Sequence, residues 1–142
     1  MLFQDRSEAR QVIVQAWQRH RCGLPLEPLA ALIVQVVAAH PEYHALLEDP
    51  QAAVAAEFPP GAGQTNPFLH MGMHVAIQEQ LSTDRPPGIA ALVTAARPRF
   101  THAHALEHRL MECLGQVLWQ AQRRGTAPDE AAYLECVRRM AP

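Results

Sequence analysis

The chain has 142 residues, of which 49% are apolar and 18% are charged, and its formal net charge at pH 7 is −2. This length fits one domain with a sizeable buried core, and the balanced charge excludes the strongly basic surface of a nucleic-acid-binding protein. All 12 residues counted as Lys or Arg are arginine, which excludes Schiff-base chemistry on a lysine and a lysine-dependent phosphate loop.

Helical spacing of apolar residues begins near the start of the chain. Residues 5–21 form the first predicted helix, which ends at Gly23. Pro28 fits the first turn of a second helix. We expect this helix to end at Pro41, because the residue before a proline avoids the α region. The segments that follow are predicted as two short helical turns and a loop: 42–47, 51–57 and 58–65.

Start and stop signals of helices continue through the second half of the chain. Asn66 is a predicted N-cap, and Pro67 after it suits the first position of a helix that runs to about Ser82. Three further helices are predicted: one over 88–96, one that Thr101 caps and that runs to Arg124, and one over 130–139.

No segment shows the alternating pattern of a strand. We therefore predict an all-α fold, a single-domain helical bundle over residues 1–142 with about five to seven helices and up-and-down packing through short loops. Trp17 and Trp119 are predicted to be core anchors because indole rings bury large apolar areas.

The cysteines and the apolar runs of the sequence predict the cellular compartment of the protein. Cys22, Cys113 and Cys136 lie far apart and form no CxxC motif, and such sparse, odd-numbered usage favours a reducing environment. The first ten residues do not resemble a signal peptide, and no apolar run is long enough to span a membrane. We expect a cytoplasmic protein that binds neither nucleic acid nor a membrane, with a protein partner or homodimer left open.

Two histidine pairs carry the sharpest chemical signal. His70 and His74 are four residues apart in one predicted helix, and His104 and His108 repeat the spacing in another. This spacing puts both rings of a pair on one helix face, about one turn apart. Neutral imidazole is the commonest metal ligand among side chains. Glu112 follows His108 by four residues and so lies on the same helix face as His104 and His108. It is predicted to be a fifth ligand or a group that orients a histidine.

The pattern favours a mononuclear, histidine-rich site with zinc or iron. The sequence contains neither HExxH nor the Glu-x-x-His repeat of ferritin-like di-iron bundles. Metal-assisted hydrolysis and oxygen chemistry both stay open, as does the absence of any reaction. Pro41 interrupts the helix between His40 and His44, so spacing alone does not place these two rings on one face. The role of His40 stays open, and the fold could still bring His44 or Glu42 to the site.

The alternative to metal binding is a different class of protein, a non-catalytic protein-interaction bundle. In this hypothesis His70 and His74 are core residues hydrogen-bonded to Glu112 or to the backbone. His104 and His108 would then lie at the rim of the bundle. A third hypothesis is a pocket that binds a small ligand without a metal.

Several strings of the sequence are long enough to be specific. They are HPEYH (40–44), QTNPFLH (64–70), MGMH (71–74), EQLSTDRP (79–86), EH (107–108), MECL (111–114), LWQAQ (118–122) and PDEAAYLEC (128–136). With these strings the chain resembles, over nearly its whole length, the proteobacterial domain-of-unknown-function family numbered 1841. The resemblance implies a small bacterial cytoplasmic protein. It implies no activity, so no catalytic residue is carried over from it.

Overall fold

A computed structural model describes residues 6–58 and 66–141 of the chain. These residues contain eight α-helices, two 3₁₀ turns (Pro41–Tyr43 and Arg97–Arg99) and no strand. The all-α prediction is confirmed, but eight helices exceed the predicted five to seven because the short turns after Pro41 fold as separate helices. The helices are α1 (Arg6–Arg21), α2 (Pro28–Ala38), α3 (His44–Leu47), α4 (Pro50–Ala55), α5 (Pro67–Thr83), α6 (Ile89–Ala96), α7 (Ala103–Arg124) and α8 (Glu130–Arg138). The predicted loop over 58–65 lies, except for Phe58, outside the described residues.

Side-chain caps fix the helix starts that position the histidines. The Asn66 side-chain oxygen accepts hydrogen bonds from the backbone N–H groups of Phe68 and Leu69, at 3.0 and 3.3 Å. This confirms the predicted start of α5. The prediction of Thr101 as the cap of α7 was wrong. His102 takes that place, and its Nδ1 accepts from the N–H of Ala105 at 3.1 Å.

The chain divides into two compact units, residues 1–76 and residues 77–142, and the division falls inside α5. In the first unit α1 packs against α2 and α4. Its core is apolar and almost completely shielded from solvent. The core side chains that are at most 1% exposed include Ile13, Ile33, Val37, Leu47, Met71 and Val75. Trp17, predicted as a core anchor, is 8% exposed and belongs to this core.

Arg10 is a cation in the apolar core of the first unit, and only 1% of it is exposed. Its guanidinium donates to the carbonyls of Val54, at 3.1 Å, and of Ala56, at the end of α4. The same group lies 4.8 Å from the centre of the Phe68 ring. Carbonyls at a helix C-terminus attract a cation, so Arg10 ties α1 to the end of α4.

The second unit is built on α6, α7 and α8, with α8 packed against both of the others. Its core includes Ile89, Leu110 and Val137, none more than 1% exposed. A disulfide joins Cys113 of α7 to Cys136 of α8, with 5.8 Å between the two Cα atoms. This pairing could not be predicted from the sequence, because 23 residues separate the two cysteines and only packing brings α8 back to α7.

The prediction that Trp119 is a core anchor was wrong. It is 56% exposed, on the face of α7 opposite the buried Val117 and Ala121. The guanidinium of Arg123 covers it at 4.7 Å from the ring centre. An exposed indole of this kind is stabilised by the cation above it rather than by the core. Within the described parts of the chain, no helix is long and apolar enough to cross a membrane.

Candidate metal centre

His70 and His74 come together in the first unit, as their spacing predicts. The Asn66 cap sets the start of α5. The two rings lie one turn apart on that helix and meet edge to face, with centroids at 4.8 Å and an interplanar angle of 78°. Their Nε2 atoms are 3.2 Å apart. His74 is 2% exposed, whereas His70 is partly exposed.

The separation of 3.2 Å suits two arrangements. Two neutral imidazoles can share it as a hydrogen bond, in which one Nε2–H donates and the other Nε2 accepts. Two ligands of a tetrahedral zinc ion, each about 2.0–2.1 Å from the metal, lie about 3.3–3.4 Å apart. Coordination by both Nε2 atoms would require a small movement of the rings and transfer of the proton from the donating Nε2, for example to Nδ1 of the same ring.

His40 is a third member of this group, which the sequence had left unassigned. Its ring centroid lies 5.2 Å from that of His70 and 4.8 Å from that of His74. The break at Pro41 ends α2 and starts a 3₁₀ turn, so His40 follows the last turn of α2 and is 3% exposed. We call His40, His70 and His74 the buried histidine group.

The backbone fixes the tautomer of His40. Its Nδ1 lies 2.7 Å from the carbonyl oxygen of Val36, so Nδ1 carries the proton and donates it. The lone pair is then on Nε2. A carbonyl bonded to the far nitrogen is the arrangement that orients histidines which bind metals.

The neighbours of His40 have structural roles. The Nε2–H of His44 donates to the carbonyl of Val37 at 2.8 Å, and its ring packs against Trp17 at 4.6 Å. The Tyr43 ring stacks on His40, with ring centroids 5.6 Å apart. The pKa of Tyr43 is raised mainly by burial and to a lesser extent by the negative charge of Glu42. Glu42 itself is exposed.

The second pair, His104 and His108, lies on α7 in the second unit. Its ring centroids are 4.2 Å apart, and the His108 side chain is exposed. Glu112 is also exposed, with 71% of its side chain accessible, and its carboxylate accepts from Arg109 at 3.2 Å. The structure thus brings each predicted pair together within its own unit and gives Glu112 an arginine partner.

Residues 5–139 match the family described as Domain of unknown function (DUF1841). The chain belongs to this family. The resemblance stated from the sequence is thereby confirmed. No curated protein and no solved structure matches the chain. Since the family's description assigns no activity, the chemistry of this DUF1841 member rests on its own side chains.

The group of candidate donors found among the described residues of this DUF1841 member consists of imidazoles. His40, His74, His104 and His108 can each offer one ring nitrogen to an ion. Neutral nitrogen ligands suit zinc, iron, copper and nickel better than they suit magnesium or calcium, which prefer oxygen. The only signal in the sequence for His40 was its spacing from His44, and the structure pairs it with α5 instead.

Proposed function

We propose that this protein binds a transition-metal ion, zinc or iron, through histidines of α5 and α7. The proposed ligands are His70, His74, His104 and His108, with Glu112 as a fifth ligand or as the group that orients one of them. His40 is added to this set because its ring lies beside His74 and its lone pair is on Nε2.

The buried histidine group is the observation that supports the proposal most strongly. Two rings that are 2% and 3% exposed, His74 and His40, lie with His70 at mutual centroid distances of 4.8–5.2 Å. Neutral imidazole is the commonest metal ligand among side chains. Three imidazole rings this close together offer several ring nitrogens to one ion.

Metal analysis of protein purified without a histidine tag tests the proposal. We expect stoichiometric zinc or iron, and we expect His74→Ala and His108→Ala each to weaken binding by at least about 100-fold, since loss of a directly bound ligand exceeds the effect of removing an outer group. The matched control is His20→Ala, because His20 is an exposed histidine on α1. This variant should retain the metal.

Two outcomes would contradict the proposal. One is protein that carries no metal and takes up none from a metal-buffered solution. The other is retention of the ion by both His74→Ala and His108→Ala, which would place binding elsewhere on the chain.

The second candidate is a non-catalytic protein-interaction domain whose histidines are structural. Two observations favour it: the Nε2 separation of His70 and His74 also suits a plain hydrogen bond, and Trp119 offers an exposed indole to a partner. This candidate predicts metal-free protein with a thermal unfolding midpoint that excess chelator does not change.

A further inference from the structure

A half-open pocket of about 380 Å³ lies along α7 and α8, entirely within the second unit. Its lining includes two guanidinium groups, Arg109 and Arg139, and the amides of Gln116 and Gln120. The half-cystine Cys136 also lines it. Cys136 is therefore the half of the disulfide that a ligand held in this pocket can contact.

The two sulfurs of the disulfide differ in access. Cys113 is fully buried, at 0% exposure, whereas Cys136 is partly exposed and lines the pocket. A thiolate opens a disulfide by attack on one sulfur, so access decides which sulfur is attacked. From this pocket, the attack falls on Cys136 and makes Cys113 the leaving group.

Arg109 lies next to the sulfur of Cys113, the leaving group. Its Nη1 lies 3.7 Å from the Sγ of Cys113, and the same side chain lines the pocket. A positive charge near a sulfur stabilises the thiolate form, and a more stable thiolate leaves faster in thiol–disulfide exchange. The surroundings of the bond thus favour departure of Cys113 over departure of Cys136.

We propose that this pocket binds a small thiol that carries carboxylate groups, and that Cys136 is the residue with which this thiol forms a mixed disulfide. The thiolate attacks Sγ of Cys136, the bond to Cys113 breaks, and its electron pair stays on Cys113 as a thiolate. A second thiolate then attacks the sulfur of the bound thiol and displaces Cys136. The protein gains two electrons, and two thiols leave as one disulfide.

The charges around the pocket favour an anionic ligand. Arg109 pairs with Glu112, and Arg138 and Arg139 share Glu135, so these three arginines and two glutamates leave one net positive charge beside the pocket. Glu135 is held as an anion by Arg138, whose two hydrogen bonds of 2.6 and 2.8 Å lower the pKa of that carboxyl to about 2. Guanidinium groups pair well with carboxylates.

Reduction kinetics of the intact protein test the proposal. A Cys22→Ser background removes the free thiol, and glutathione is compared with cysteamine, a cationic thiol, at equal thiolate concentration. We expect glutathione to react at least about fivefold faster at low salt and the difference to shrink at high salt. Peptide mapping should place the mixed disulfide on Cys136. A mixed disulfide on Cys113, or equal rates for the two thiols, would overturn the proposal.

A second set of variants tests the role of Arg109. Arg109→Gln should slow the reaction with both thiols by about three- to tenfold, since it raises the basicity of the leaving sulfur. Arg123→Gln, on the same helix but against exposed Trp119, should leave the rate unchanged. Equal effects of the two variants would contradict the role of Arg109.

The single-cysteine proteins give a readout that does not depend on Arg109. With Cys113→Ser, oxidised glutathione should modify Cys136 in the folded protein. With Cys136→Ser, buried Cys113 should react only after unfolding. Comparable modification of both folded variants would overturn the assignment of Cys136.

Discussion

The two units of the chain bury different kinds of groups. The arginine and histidine side chains that are almost fully buried among the described residues, Arg10, His40 and His74, all belong to residues 1–76. In residues 77–142 the buried hetero-atoms include the sulfur of Cys113 and the hydroxyl of Tyr133, whereas His108 is exposed. Polar burial is costly unless each group finds partners. The first unit therefore contains the groups whose removal should disturb the fold most, and the second contains groups that solvent can reach.

Replacement of Arg10 should give the largest effect. Arg10→Met removes a buried guanidinium from the carbonyls at the end of α4 and leaves them without that donor. We expect a loss of about 3 kcal/mol in the free energy of unfolding, because hydrogen bonds to a charged group are worth about 1.5–3 kcal/mol each.

The matched control for Arg10 lies on the same helix. Arg21 forms an exposed ion pair with Glu48 at 2.8 Å, and Arg21→Met should cost less than about 1 kcal/mol. Urea unfolding of both variants measures the difference. Equal losses would show that the burial of Arg10 does not set its contribution.

The two histidine pairs give the next comparison, with metal removed by chelator. His74→Ala leaves a cavity in the core and deprives His70 of its partner, so we expect a loss of about 2 kcal/mol. His108→Ala changes an exposed side chain and should stay within about 0.5 kcal/mol of the wild type. Chemical denaturation in excess chelator measures both. Similar losses for the two variants would contradict the contrast between the units.

The last expected effect appears only at alkaline pH and concerns the hydroxyl of Tyr133, which donates to the side-chain oxygen of Gln80 at 2.6 Å. Burial raises the pKa of Tyr133 to about 12. Because the folded pKa exceeds the unfolded value of about 10, the stabilisation is present below pH 10 and is lost as the pH rises towards 12. Near-ultraviolet absorbance of tyrosinate should show a late step that Tyr133→Phe removes. Complete ionisation near pH 10 in the folded protein would contradict this.

Local signals in the sequence were sufficient for most of the secondary structure. Asn66 caps α5, Pro28 opens α2, and Gly125 ends α7 with a φ of 63°, each through a preference that acts within a few residues. The pairing of His70 with His74 follows from helical periodicity for the same reason. Thr101 was the exception, since His102 competes for the same N–H groups one residue later.

Features that depend on tertiary packing could not be obtained in this way. The place of His40 in the buried histidine group depends on how α2 packs against α5, and the bond between Cys113 and Cys136 depends on the return of α8 to α7. The exposure of Trp119 is decided by which face of α7 the neighbouring helices cover. One sequence contains no direct signal for these long-range choices.

The central claim is that the paired histidines hold a metal ion, and anomalous diffraction tests it most directly. Crystals of untagged protein, grown with zinc or iron, would be measured at the absorption edge of the metal. We predict an anomalous peak about 2.0–2.1 Å from ring nitrogens that include those of His74 and His108. Well-ordered imidazoles without an anomalous peak at any of these histidines would contradict the account.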